Sequence, residues 1–361
     1  MTSESSIKSS IIKEYTGLTR KKLHVIIFLS LLLIFLAVLS ASIGSADVSL
    51  KETYFAILER FFPDHFDVNP FAYTVIWELR LERVLMGVLA GSGLAIAGVV
   101  MQAILKNPLA SPYTLGIASA ASFGASLAII LGVGIVGGAH IIIANAFLFS
   151  MVAALLIYGF SLRKTSTETM ILAGIAIMYL FTAMVASLQY VGEAEEVQEV
   201  VYWMFGSLGR ANWSSHFPYG NIGIISIALG VTIPYLFLKS WDFNALGTGD
   251  ETAKSLGVKV EWIRISCMFL AALITASIIC FTGTIGFIGL VCPHITRMVI
   301  GSDHRFLLPG SCLTGAVLLL SADTLARVVV APVILPVGIV TSFMGVPLFV
   351  YLLMRQRGGY W

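Results

Sequence analysis

Between residues 23 and 354, apolar runs of about twenty residues follow one another with only short polar breaks. An α-helix needs about 20 apolar residues to cross the hydrocarbon core of a bilayer, and a spanning segment must satisfy its own backbone hydrogen bonds. The runs predict spans at 23–44, 83–105, 113–136, 139–161, 170–191, 218–238, 262–281, 284–300, 307–326 and 337–354. The chain is read as an all-α polytopic membrane protein with about ten transmembrane helices, forming a single membrane domain over 1–361. Composition agrees: hydrophobic residues make up 58% and charged residues 12%, against roughly a quarter charged in soluble proteins. That excludes a soluble enzyme and a disordered chain. A net charge of +2 gives no field for a nucleic acid.

Two stretches need dividing. Residues 113–161 are too long for one crossing and break at 132–140, GVGIVGGAH. Residues 265–293 carry no charge, and Gly283 with Gly286 marks their break. Arg264 on one side and Arg297 with Arg305 on the other then share a membrane face, which requires an even number of crossings. At the N-terminus, Arg20, Lys21 and Lys22 precede the run Leu23–Gly44, which is followed by a signal-peptidase-like SASIGSA. The run exceeds the ~7–15 residues of a signal peptide's apolar region, so it reads as the first span.

Charge then orients the chain. With both termini in the cytoplasm, the inner segments hold Lys8, Lys13, Arg20, Lys21, Lys22, Lys106, Arg163, Lys164, Lys239, Lys254, Lys259, Arg264, Arg297, Arg305, Arg355 and Arg357. Only Lys51, Arg60, Arg80, Arg83, Arg210 and Arg327 fall outside. Sixteen of 22 basic residues inside satisfies the positive-inside rule. Residues 1–22 form a cytoplasmic tail, and 45–82, 192–217 and 239–261 are the longest polar stretches. Each holds a short helix or two, so any energy-converting machinery belongs to another subunit. Related Gly/Pro breaks in spans two and seven, which run in opposite directions, suggest an inverted repeat of spans 2–5 and 7–10.

Catalytic chemistry finds no support. There is no HExxH, GxSxG or paired intramembrane carboxylate, and GDETAKS (249–255) lacks the glycines of a phosphate-binding loop. Cys267, Cys280, Cys292 and Cys312 all sit in apolar segments and read as packing, not as disulfides or metal ligands. His294 has no second ligand at helical spacing, so no metal site is expected. Asp323 and Arg327 stand four apart, the spacing of a local ion pair. Arg80, Arg83 and Arg327 lie on the side the rule disfavours. They are either snorkelling interfacial residues or forks for an acidic partner. In 239–261, Gly249, Asp250 and Glu251 suit a helix start, Ala253 to Leu256 continue it and Gly257 ends it. This is either loop punctuation or a docking knob.

The strings ELRLERVLMGVLAGSGLAIAGVVMQAILKNPLASPYTLG, LGTGDETAKSLGV, GFIGLVCPHITRMVIGSDHRFLLPG and ADTLARVVVAPVILPVGIVTSFMGVPLFVYLL resemble the iron-siderophore, haem and cobalamin permeases of ATP-binding-cassette importers. The resemblance covers about residues 30–357. It implies a homodimer in the prokaryotic cytoplasmic membrane, two cytosolic ATPases that use ATP-Mg, and an external substrate-binding protein, with no cofactor bound by this chain and no enzyme activity of its own. It implies that Arg80, Arg83 and Arg327 meet the binding protein. Gly249, Asp250, Glu251, Ala253, Leu256 and Gly257 would form the ATPase coupling segment, and Asn107, Pro108, Gly286 and Pro293 are gating or packing candidates. Two positions depart from the family: Glu82 where a Pro is usual and Thr248 where a Leu is usual. The expected cargo is a ferric siderophore, haem or corrinoid. A molybdate or tungstate permease of the same family is the alternative, and a secondary transporter lacks the intramembrane ionisable pair it would need.

Overall fold

The computed structural model describes residues 2–44, 46, 48–63, 65–162, 167–213 and 220–355. The inner charges Arg163, Lys164 and Arg357 fall outside them, as do the side chains of Lys8 and Arg355. Among the described residues every regular element is a helix. They are α1 (Thr2–Ser42), α2 (Leu50–Glu59), α3 (Pro70–Thr74), α4 (Leu81–Ile104), α5 (Ile117–Leu131), α6 (Ile141–Leu162), α7 (Thr167–Val191), α8 (Ala194–Met204), α9 (Gly220–Leu238), α10 (Ser240–Gly247), α11 (Asp250–Ser255), α12 (Val260–Thr282), α13 (Ile288–Ile300), α14 (His304–Val328) and α15 (Val337–Arg355).

A helix stands at each of the ten expected positions. Seven are long and apolar enough to cross a membrane, Ile117–Leu131 and Ile288–Ile300 are shorter apolar helices, and α15 runs for 19 residues. The two predicted breaks are present. α5 ends on Gly132 in the left-handed region (φ +63°), and Gly283 (φ +73°) closes α12. The polar segments hold the short elements. Ser49 and Glu52 cap the start of α2 reciprocally, and Asn69 with Pro70 opens α3.

α4 is the axis of the bundle. Nearly all its length is buried, and α9, α12, α13 and α14 pack around it. Small residues make this possible. A methyl group built on Gly91 would overlap the backbone of Gly315 on α14, and one on Gly98 would overlap the Gly289 carbonyl of α13. Gly289 stands four residues before Pro293, which has no N–H to donate to that carbonyl. α13 therefore presses this freed carbonyl against the α4 backbone. α1, by contrast, turns Ile27, Phe28, Leu31, Ile34 and Phe35 outward, the face a helix offers to lipid.

Placing a β-branched side chain where backbones touch forces the helices apart, which typically costs 1–3 kcal/mol. Gly98→Val is therefore expected to lower the thermal unfolding midpoint of the purified protein. A midpoint equal to wild type would show that α4 and α13 do not pack as described.

Candidate functional site

Three regions carry the polar and irregular features of the fold. The first lies at the end of the bundle that bears α2, α3 and α8. Here α1 stops at Ser42 with unpaired carbonyls, and buried arginines supply the donors. Arg80 donates from Nη1 to the carbonyls of Ala41 (3.0 Å) and Ser42 (2.9 Å), and from Nη2 to that of Ala46 (2.7 Å). Arg327 donates to Ile43 O (2.8 Å) and Ser40 O (3.0 Å).

Asp323, fully buried, lies between Arg83 Nε at 2.7 Å and Arg327 Nε at 3.1 Å. The ion pair expected from the spacing of Asp323 and Arg327 is present, and Arg83 joins it from α4. Glu82 accepts the Trp213 backbone N–H at 3.1 Å, so this departure from the family is satisfied inside the protein. The structure thus turns Arg80, Arg83 and Arg327 inward. Arg80 and Arg327 donate to backbone carbonyls at and just after the end of α1.

The second region is the knob at the opposite end, α10 and α11. Gly249, with φ +118°, makes the turn between them that a side chain would strain. Asp250 opens α11 and pairs with Lys106 (2.6 Å) and Arg264 (3.1 Å). Burial works to raise the Asp250 carboxyl, but hydrogen bonds from Lys106 and Arg264 and their charges outweigh it and hold it below the usual range. Arg264 also donates to the Ile104 carbonyl at 3.2 Å. One carboxylate therefore ties α11 to α12 and to the end of α4.

Ala253 is fully buried, Glu251 and Leu256 point outward, and Gly257 (φ +86°) ends the turn. The Thr248 hydroxyl caps α10 by donating to the Ala245 carbonyl at 2.8 Å, which accommodates the second family departure.

α10 has its own attachment, which the sequence did not reveal. Asn244 donates to Asp303 Oδ1 (2.9 Å) and accepts the backbone N–H of His304 (2.8 Å). Asp303 caps α14 and accepts from Arg305 Nη2 at 2.6 Å, while the guanidinium of Arg305 stacks on Trp241 at 4.2 Å. Burial pushes the Asp303 carboxyl up, but the bonds from Arg305 and Asn244 dominate and bring it down to about 2. Both latch carboxylates stay ionised at neutral pH.

The third region is a cavity of about 700 Å³. The turn after α4 contributes Tyr113 and Thr114, the α12–α13 break contributes Gly286 and Phe287, and α15 contributes Phe343 and Pro347. None of its lining side chains is charged. Phe287 holds φ +68°, an uncommon conformation for a bulky residue, and packs on Gly345 of α15.

Of the gating candidates, Gly286 lines this cavity. Asn107 accepts the Leu109 N–H at 2.8 Å, which shapes the turn that follows Lys106. Pro108 lies in that turn, and Pro293 sits inside α13. No group of three or more His, Cys, Asp or Glu among the described residues could hold a metal ion.

Comparison with known proteins gives these regions a context. The description of the FecCD transport family matches residues 32–355. The provisionally named ABC transporter permease MJ0087 of Methanocaldococcus jannaschii is 42% identical, over 95% of this chain and 98% of its own length. The hemin transport system permease HmuU of Yersinia pestis is 37% identical, over 91% and 95%. Other relatives at 33% and 36% identity are named for molybdate and cobalamin import. A solved structure of an inward-facing, provisionally assigned metal-chelate type ABC transporter matches with TM-score 0.78 and 32% identity, over 92% of this chain and 99% of that one.

Among the described residues Glu251 makes only an exposed pair with Lys254 at 3.3 Å, the kind of surface pair that adds little to stability. Glu251→Arg is expected to leave unfolding unchanged while abolishing ATP-driven transport. Normal transport by this variant would remove Glu251 from the coupling surface.

Proposed function

The chain belongs to the FecCD transport family and is a permease of the ATP-binding-cassette importer class; we propose that it carries a metal chelate into the cell. An external binding protein delivers the chelate, and ATP hydrolysis on two separate cytosolic subunits drives its passage. The permease works as a homodimer in a prokaryotic cytoplasmic membrane, with both termini and the knob inside and ten crossings per chain.

The observation that carries this reading is the knob. α10 and α11 hold an outward Glu251 and Leu256 while their inner faces are latched to α4, α12 and α14. Such a part transmits force from a bound partner to the spans. Asp250, Ala253 and the Gly249 and Gly257 turns set its shape, and Glu251 and Leu256 meet the ATPase. ATP-driven closure of the two ATPases tilts the halves α4–α7 and α12–α15 against each other. The break at Gly286 and the turn at Asn107 and Pro108 bend, while Pro293 keeps α13 seated on α4.

Docking of the binding protein on Arg80 and Arg327 would have to compete with the backbone carbonyls at the end of α1, whereas Asp323 holds only the Nε of Arg83. Lys51 and Arg60, exposed on the same end of the bundle, offer positive charge without that cost.

The large cavity favours a bulky chelate over an oxyanion. Its uncharged lining offers aromatic surface and a few hydroxyls, which suit an apolar ligand shell. A small divalent anion would lose its water there with little in exchange.

The test is uptake by proteoliposomes that contain the permease, its ATPase and its binding protein. Ferric siderophore, haem, corrinoid and molybdate are offered together, and retained iron, cobalt and molybdenum are counted with and without ATP. ATP-dependent gain of iron or cobalt is expected. Gain of molybdenum alone would replace the chelate by an oxyanion, and uptake abolished by an uncoupler instead of by ATP removal would mark a secondary transporter.

A further inference from the structure

A second, smaller cavity of about 330 Å³ lies beyond the large one, toward the end of the bundle that bears α8. One turn of chain borders both: Met204 and Phe205 line the large cavity, and Gly206 and Ser207 the small one. The α14–α15 connection does the same, with Pro336 on the small cavity and Gly338 on the large one.

Their linings differ in one respect. The small cavity is lined by two arginines, Arg83 and Arg210, and by no acidic residue. Arg83 comes from α4 and is held rigidly, because Asp323 grips its Nε at 2.7 Å. That grip leaves the two Nη groups, which have no acceptor among the described residues. One of them, Nη1, lies 3.2 Å from where a methyl group on Gly209 would stand, at the turn that carries Arg210. The Arg210 backbone carbonyl is fixed by the Asn221 amide, while its guanidinium also has no acceptor among the described residues. Glu199 acts on Arg210 electrostatically but lies beyond ion-pair distance.

We propose that this two-arginine cavity is an unassigned subsite for a carboxylate group of the transported chelate. The inference rests on the importer reading above and adds that the cargo is anionic at its rim and apolar in its body. Guanidinium forks match a carboxylate in two-point geometry. Arg83 is already oriented by Asp323, so less freedom is lost on binding. Asp323 neutralises part of the local charge. The apolar cavity behind then receives the body of the chelate.

The same carboxylate chemistry could come from an acidic side chain of the binding protein, so the experiment separates the two sources. The permease, assembled with its ATPase in lipid nanodiscs and without binding protein, is titrated with matched probes. Haem is compared with haem dimethyl ester, and ferric citrate with the neutral ferric tris-acetohydroxamate complex. At least one carboxylate probe is expected to bind roughly tenfold more tightly than its neutral counterpart, the gain of one charge-assisted pair. Arg210→Gln should remove that preference, and Arg83→Lys, which keeps the charge beside Asp323, should weaken it.

In a second arm, the affinity of the binding protein for the permease is measured with the same variants. Loss of that affinity with unchanged probe binding would assign the cavity to the partner and overturn the proposal. So would neutral probes binding as well as carboxylates, or no probe binding at all, in a preparation that still takes up metal with ATP. Absence of any ATP-driven uptake would instead overturn the importer reading.

Discussion

The backbone of α4 touches its neighbours, and the other spans take their positions from that contact. Gly91 meets Gly315 and Gly98 meets Gly289 with no side chain between them. In a membrane such approaches replace the hydrophobic drive that lipid removes, through close van der Waals contact and short carbonyl–Cα distances. Pro293 adds a directional element, since it frees the very carbonyl that faces Gly98. With α4 fixed against α13 and α14, the ends of α4 become fixed points. Arg83 at one end reaches Asp323 of α14, and the turn after Ile104 at the other end receives Arg264 and, through Lys106, Asp250.

Charge is confined to those ends. The cluster of Arg80, Arg83, Arg327, Asp323 and Glu82 sums to +1, and the carbonyls that end α1 face its excess positive charge. Buried ionic groups of this kind rarely add stability over an apolar core, yet removing one partner typically costs 3–5 kcal/mol. The cluster joins α1, α4 and α14 at one end of the bundle. The knob latches have the same character on a more exposed surface. Asn244 uses both faces of its amide, one toward Asp303 and one toward His304, and Asp250 serves two cations from two elements.

Much of the architecture was legible in the sequence because bilayer length and backbone satisfaction leave few options. All ten helices stand where the apolar runs put them, and Gly132 and Gly283 end helices as expected. Two runs gave shorter helices for a physical reason. Residues 113–116 and 284–287 are apolar but not helical; they line the large cavity, and hydropathy does not distinguish a cavity-lining turn from a span. The inward roles of Arg80 and Arg327 were hidden because their acceptors are carbonyls of α1, about forty and more than two hundred residues away. Asn244 and Arg210 carried no spacing signal, and their partners come only from the fold. Glu251, Leu256 and Gly257 stood out because a helix start and a glycine stop are local features.

The central claim is that an ATPase stroke enters through α10 and α11 and leaves by two polar latches, one to α14 and one to α4 and α12. The most direct measurement is the number of chelate molecules moved per ATP hydrolysed by the reconstituted complex when Asn244 is replaced by Leu. Hydrolysis should persist, because α11 still meets the ATPase, while the transported number falls at least tenfold. An unchanged ratio in a fully assembled complex would contradict the claim and leave the α10 latch without a part in transport.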